Sequence, residues 1–223
     1  MEIVEYGLAK VLLPHIEEGE LRTVDDLGGP STTDFRYADR SVRHLAVADA
    51  ALSGGTLTRI EARRATFDQA MIQSVVFDQC VVLSSDWIDC TLARVKFRDC
   101  KILGGNFVDN NWSNVVFERC RLEYLTFDSI RTNAPVVFVD SRLKEVIFRR
   151  TDLAGGHMSA CALDDVEFDG GSYTNFDVRG NDLSTVRGAS NLNGVIIDPI
   201  QRQELGEALV SELDLRYLDP DNT

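Results

Sequence analysis

The sequence predicts an all-β solenoid, a chain that turns a corner every five residues, and three observations carry that expectation. First, from Phe67 every fifth residue is large and apolar: Ile72, Phe77, Val82, Trp87, Leu92, Phe97, Ile102, Phe107, Trp112, Phe117, Leu122 and Phe127. With 44% hydrophobic residues in the chain, thirteen such positions in a row arise by chance about once in tens of thousands of trials. Second, two residues before each large position stands a mostly small one, among them Ala65, Ala70, Val75, Cys80, Ser85, Cys90, Val95 and Cys100. Third, a period of five is neither the 3.6 of a helix nor the 2.0 of a strand. It suits a chain that bends after each five-residue face and points one small and one large side chain inward on each. The series resumes at Phe138 and runs through Leu143, Phe148, Leu153 and Met158 to Leu183, one residue out of phase. One residue is therefore inserted within Asp128–Val137.

The units Ala65-Thr66-Phe67-Asp68-Gln69, Cys100-Lys101-Ile102-Leu103-Gly104 and Thr151-Asp152-Leu153-Ala154-Gly155 resemble those of the pentapeptide-repeat family, Ala-(Asp/Asn)-Leu-x-x. The resemblance covers residues 65–187, and 35–64 with a weaker period. It implies a right-handed quadrilateral β-helix with four five-residue faces per coil. Residues twenty apart then stack at the inter-strand spacing of about 4.8 Å. Phe67, Trp87, Phe107 and Phe127 are expected to form one inward column, and Phe77, Phe97 and Phe117 the column opposite. Two facing ladders would fill one narrow lumen.

Taken in order, residues 1–34 lack the period, break at Gly28-Gly29-Pro30 and are expected to form an N-terminal cap. Residues 35–187 are expected to form the β-helix, and 188–223 a C-terminal cap with a helix. A solenoid leaves backbone edges open at both ends, so caps are needed to prevent end-on stacking. Asp198, Pro199 and Gln201 suit the N-cap, first and third positions of that helix. Ile200, Leu205, Leu209 and Leu213 give it an apolar stripe, ending near Leu215. Pentapeptide-repeat proteins of the quinolone-resistance kind, Qnr and MfpA, look similar here, and the resemblance implies a homodimer joined through the C-terminal end.

All five cysteines fall on the small inward position, with Cys80, Cys100 and Cys120 in one column, Cys161 joining it after the insertion, and Cys90 on the opposite face. Their spacing is not that of a zinc site, and they are read as packing. The three histidines share no pattern with a nucleophile and an acid, so neither catalytic, cofactor-binding nor metal-binding residues are expected. No apolar run reaches the roughly 18–20 residues of a membrane span, and the N-terminus lacks a signal-peptide layout. An odd number of cysteines in such a chain fits reduced thiols in the cytoplasm. The net charge of -13 argues against direct nucleic-acid binding.

Two features suggest a protein partner. Leu83 and Leu103, with Ile88 and Val108, occupy positions that should face water and would straddle one edge. Charge is also uneven: eleven basic and seven acidic residues from Arg94 to Arg150, then fourteen acidic and four basic from Asp152 to Asp221. Asp164, Asp165, Glu167 and Asp169 form the densest acidic cluster. The chain is thus expected to be a non-enzymatic interaction module. By resemblance to Qnr and MfpA, its sharper form is a DNA-mimicking partner of DNA gyrase or topoisomerase. The alternative is a scaffold that binds another protein through the apolar edge.

Overall fold

The computed structural model describes residues 2–213 and 215, and between Arg22 and Ile196 the chain winds as a parallel β-solenoid. Each coil pairs in register with the one twenty residues later, as Phe77 with Phe97 and Phe97 with Phe117. The four faces of a coil are named here by their inward residues Phe67, Ile72, Phe77 and Val82. All four side chains point into one lumen, where the aromatic residues are almost fully buried.

Rings within a column stack: Phe77 lies 4.7 Å from Phe97, and Phe97 4.7 Å from Phe117, the latter planes only 4° apart. Rings of the two opposite columns meet edge to face, as Phe67 and Phe77 do at 6.2 Å and 78°. Both arrangements suit the quadrupole of an aromatic ring. Below Phe117 the column continues through Phe138 and Met158, and below Phe127 through Phe148 and Phe168.

Corners set a second sequence requirement. The last residue of many faces has φ near +50°, including Asp49, Gln69, Asp89 and Asp109 down one edge. This conformation strains most L residues, and Asp and Asn tolerate it best. A bond to the next coil offsets the cost: the Gln69 N–H donates to the Ile88 carbonyl at 2.9 Å, and Asp89 to Val108 at 3.0 Å.

The inserted residue is now placed. Trp112 pairs with Thr132, twenty residues on, but Val115 pairs with Val136, twenty-one on. The extra residue therefore lies in Asn133-Ala134-Pro135.

Both ends depart from the expected boundaries. Strand β1 (Glu2–Tyr6) and strand β2 (Ala9–Leu13) form an antiparallel hairpin that caps neither end. It lies along the Phe77 face, where Ala9, Val11 and Leu13 pack on Val116 and Val137 in an apolar cluster separate from the lumen. Coils begin before residue 35. Strand β3 (Arg22–Thr23) pairs with the start of β5 (Phe35–Ala48) only thirteen residues on, and β4 (Ser31–Thr33) pairs with β6 (Ala51–Asp68) at the full twenty. Within this shortened first coil Leu27 is buried in the main core.

At the other end, helix α1 (Gln201–Ser211) stops short of Leu215. The Gln201 side chain is buried and donates to the Val178 and Asn181 carbonyls at 2.9 and 2.8 Å. Its Oε1 accepts the Asp198 N–H at 2.7 Å, which is the glutamine half of a capping box. The Asp198 carboxylate instead accepts the Gly180 N–H of the preceding coil, at 2.9 Å. Leu205 packs against the core while Ile200, Leu209 and Leu213 are exposed. The expected single stripe is thus split, with Leu205 turned to the lumen.

Candidate interaction surfaces

The thiols line the inside of the rod. All five cysteines are buried and free. The neighbouring Cys100 thiol, together with burial, pushes the Cys80 thiol up. Burial raises Cys90 and Cys161 to about 11. Each Sγ donates to a backbone carbonyl, Cys120 for example to Phe97 at 3.4 Å. Among the described residues no group of three or more His, Cys, Asp or Glu is placed to hold a metal ion, and no helix is long and apolar enough to cross a membrane. What the rod offers is its four faces.

The Phe77 face is the one sequence reasoning missed, because the hairpin covers it. Gly7 at the hairpin turn sits so close to His157 and Asp177 that a β-carbon there would come within 2.8 Å of both. His157 occupies an outward position, as expected, yet it is only 7% exposed. Its Nδ1 lies 3.5 Å from the Asp177 carboxylate, and burial holds its pKa below the usual imidazole range. The signal was present in the alternation Ala9, Val11, Leu13 and in the outward valines Val116, Val137 and Val139.

The Phe67 face is acidic. From Ala46 to Ser129 its outward and corner positions hold Asp49, Asp68, Asp86, Asp89, Asp109 and Asp128 and no basic residue. Asp86 is paired with Arg64 at 2.9 Å and Asp128 with Arg150 at 2.6 Å; the other four have no ion pair among the described residues. The sequence-predicted cluster divides between two faces. Glu167 and Asp169 continue the Phe67 face, whereas Asp164 belongs to the Val82 face and Asp165 to the corner between them. Three of these four have arginine partners: Arg142 with Asp164 at 3.4 Å, Arg187 with Glu167 at 3.3 Å and Arg149 with Asp169 at 2.9 Å.

The apolar positions are also distributed differently from a single edge. Leu83 (52% exposed) and the half-buried Leu103 end the Val82 face. Ile88 (43% exposed) and the half-buried Val108 lie at the far end of the Phe67 face, with Asp86 and Asn106 between the pairs. They border one face on both sides, because each pair sits just before a different corner.

The family model described as "Pentapeptide repeat region" matches residues 56–127. This chain carries a pentapeptide-repeat region. The twenty-residue pairing extends that region well beyond the matched segment, to Arg187 at its C-terminal side. Comparison with curated proteins gives no match. Among solved structures, the chain is similar to trypsin-treated R167E QnrB1, a plasmid-mediated fluoroquinolone resistance protein. Identity is 14% and the TM-score 0.48, over 76% of this chain and 97% of that one. Full-length QnrB1 gives 14% identity and 0.41, over 76% and 99%. HetL from the cyanobacterium Nostoc sp. strain PCC 7120, a pentapeptide repeat protein involved in heterocyst differentiation regulation, gives 12% and 0.28, over 74% and 84%.

Proposed function

We propose that this protein is a non-enzymatic interaction module whose acidic Phe67 face docks on a basic, DNA-binding protein surface, with DNA gyrase or topoisomerase as the partner. The observation that carries it is the row of six aspartates without a basic residue along one face of a rod. Successive coils repeat the charge every 4.8 Å or so, and such a one-signed surface steers a cationic partner. Glu167 and Asp169 lie on the same face one coil further on, beyond Arg149 and Arg150, which end the unbroken acidic row; Asp164 and Asp165 stand at its border. The exposed Ile200, Leu209 and Leu213 would join two rods end to end through α1 and double the acidic length. The pentapeptide-repeat region, and its resemblance to Qnr and MfpA, single out gyrase for testing. A cytoplasmic protein without cofactors fits this role.

Supercoiling assays test the reading. The protein should inhibit or protect gyrase at low salt, and Asp68→Asn, Asp89→Asn and Asp109→Asn together should remove the effect; asparagine keeps the corner conformation of the last two. No effect of the unaltered protein would end the gyrase reading. The second reading, a scaffold, is favoured by the exposed Leu83 and Ile88, and would survive that result.

A further inference from the structure

The rod has a second charged surface, of opposite sign, that the acidic reading does not use. On the Val82 face the outward positions from Ser41 to Lys144 hold Arg43, Arg63, Lys101, Arg121, Arg142 and Lys144 against two carboxylates, Glu61 and Glu123. Glu123 is buried beneath Arg121, 2.5 Å away, so Glu61 is the one exposed acid at those positions. Arg142 leans on Asp164 of the following coil, and Lys144 lies over the Tyr124 ring, 5.7 Å from its centre. Arg43, Arg63 and Lys101 have no ion pair among the described residues. In a chain of net charge -13, six cations against one exposed acid at the outward positions, with Arg64 and the exposed Glu145 at the corners, is a local inversion of sign.

The order along the axis carries the inference further. Arg43 and Arg63 occupy the first two coils, Val81, Leu83 and Leu103 lie in the next two, and Arg121, Arg142 and Lys144 follow. Lys101 shares a coil with Leu103. At the N-terminal end the face carries a groove beside the row of cations. The groove is about 560 Å³, lined by Ser41, Val42, Ala62, Val81 and Leu83, with Arg43 and Arg63 outnumbering Glu61 at its side.

The geometry points to a docking surface for an acidic segment with an apolar middle, carried by a partner protein. Cations at both ends of the face match carboxylates at both ends of the segment, and Leu83 and Leu103 supply the desolvated contact between them. Five coil steps of about 4.8 Å separate Arg43 from Lys144, roughly 24 Å, the length of about 16 helical residues. The coil of Val81 and Leu83 carries no cation, which breaks the continuous positive track that a phosphate backbone favours. The inference rests on the scaffold reading for Leu83 and Leu103 and is independent of gyrase.

The test is fluorescence anisotropy with a labelled 16-residue peptide, glutamates in its first and last turns and leucines along one side of its middle. The intact protein should bind it, and added salt should weaken binding. The pair Arg63→Glu and Lys101→Glu should weaken it at least about tenfold, or 1.4 kcal/mol, as should the pair Leu83→Ser and Leu103→Ser. Asp68→Asn with Asp109→Asn, on the acidic face, should leave it unchanged, and thermal melting should confirm that each variant is folded. The inference is overturned by absent binding, by indifference to either pair, or by equal affinity for a single-stranded DNA oligonucleotide. None of these outcomes bears on supercoiling, so the two readings fail separately.

Discussion

Phe97 touches Phe77 and Phe117 along its column and Trp87 across the lumen, which fixes its worth. Phe97→Ala removes a fully buried ring and should cost about 3–5 kcal/mol. Two residues on, Asp99 sits at a corner with φ +54° and makes paired bonds of 2.8 and 2.9 Å to Arg119. Those bonds hold its carboxyl below the usual range, but the pair is substantially exposed and contributes little. Asp99→Ala should cost only about 1 kcal/mol, mainly for alanine at positive φ. Urea titration of both variants separates the two roles, and equal losses would mean that the inward phase is misassigned. The cysteines behave as small core residues. Cys100→Ala should cost about 1 kcal/mol, and a thiol reagent at pH 8 should label none of the five until the rod unfolds. The corner conformation also accounts for part of the acidity, since Asp34, Asp39, Asp49, Asp89, Asp99, Asp109, Asp140 and Asp165 all occupy positive φ.

At the scale of elements, the β1–β2 hairpin is held by a cluster of five buried side chains with Val4, Tyr6 and Val139 packed against it, and by the close approach of Gly7 to His157. Its Leu12 N–H bonds to Asn114 Oδ1 at 2.9 Å. Val11→Asp places a charge among Val116 and Val137 and should release the hairpin while the coils stay folded. Hydrogen exchange would then show lost protection in residues 2–13 alone; loss throughout would make the hairpin integral to the rod. Acid should loosen the same element. Burial lowers the His157 pKa in the docked state, so the released state binds the proton more readily. The stabilisation is complete above the ordinary imidazole value of 6.5 and declines as pH falls below it. Arg179 opposes the charged imidazole and Asp177 favours it, with burial the larger influence. The Asp177 carboxyl, held low chiefly by its bonds to Arg179, begins to lose its own contribution only near pH 4. Hairpin protection should therefore fall between pH 7 and 5, and His157→Gln should remove that dependence. Helix α1 is tied more firmly, through Gln201, Leu205 and Ala208. Lysine at Leu209 and Leu213 should give monomers in light scattering if α1 joins two rods, with the coils intact; Leu205→Lys should instead loosen the cap.

For the whole molecule, what matters is that charge is sorted by face. Eleven basic residues lie between Arg94 and Arg150, and on the sequence alone they weigh against an acidic docking role. Wound into coils, several pair with carboxylates of neighbouring coils, as Arg98 does with Asp78 at 2.8 Å. Others collect on the Val82 face, and the Phe67 face stays negative from Ala46 to Ser129, where Arg149 and Arg150 end the row. A gyrase effect carried by the acidic face should weaken with salt, since exposed charges are screened over about 8 Å at physiological ionic strength. It should survive Arg63→Glu with Lys101→Glu. Loss of the effect in that variant would place the contact on the basic face instead.

The period of five, read from Phe67 to Leu183, determined the solenoid, its inward columns, the fate of the cysteines and the presence of an insertion. Those features follow from local rules: each coil repeats the same choice of inward residue, so the pattern is visible without knowing the fold. The hairpin over Val116 and Val137 could not be placed this way, because Val11 meets Val116 across more than a hundred residues and no period links them. The split of α1, with Leu205 inward and Leu209 outward, was decided by where the last coil leaves its open end. Charge sorting likewise needed the winding. Asp68 and Arg63 are five residues apart in the chain and lie on different faces because a corner stands between them, and only the coiled rod assigns each to its side.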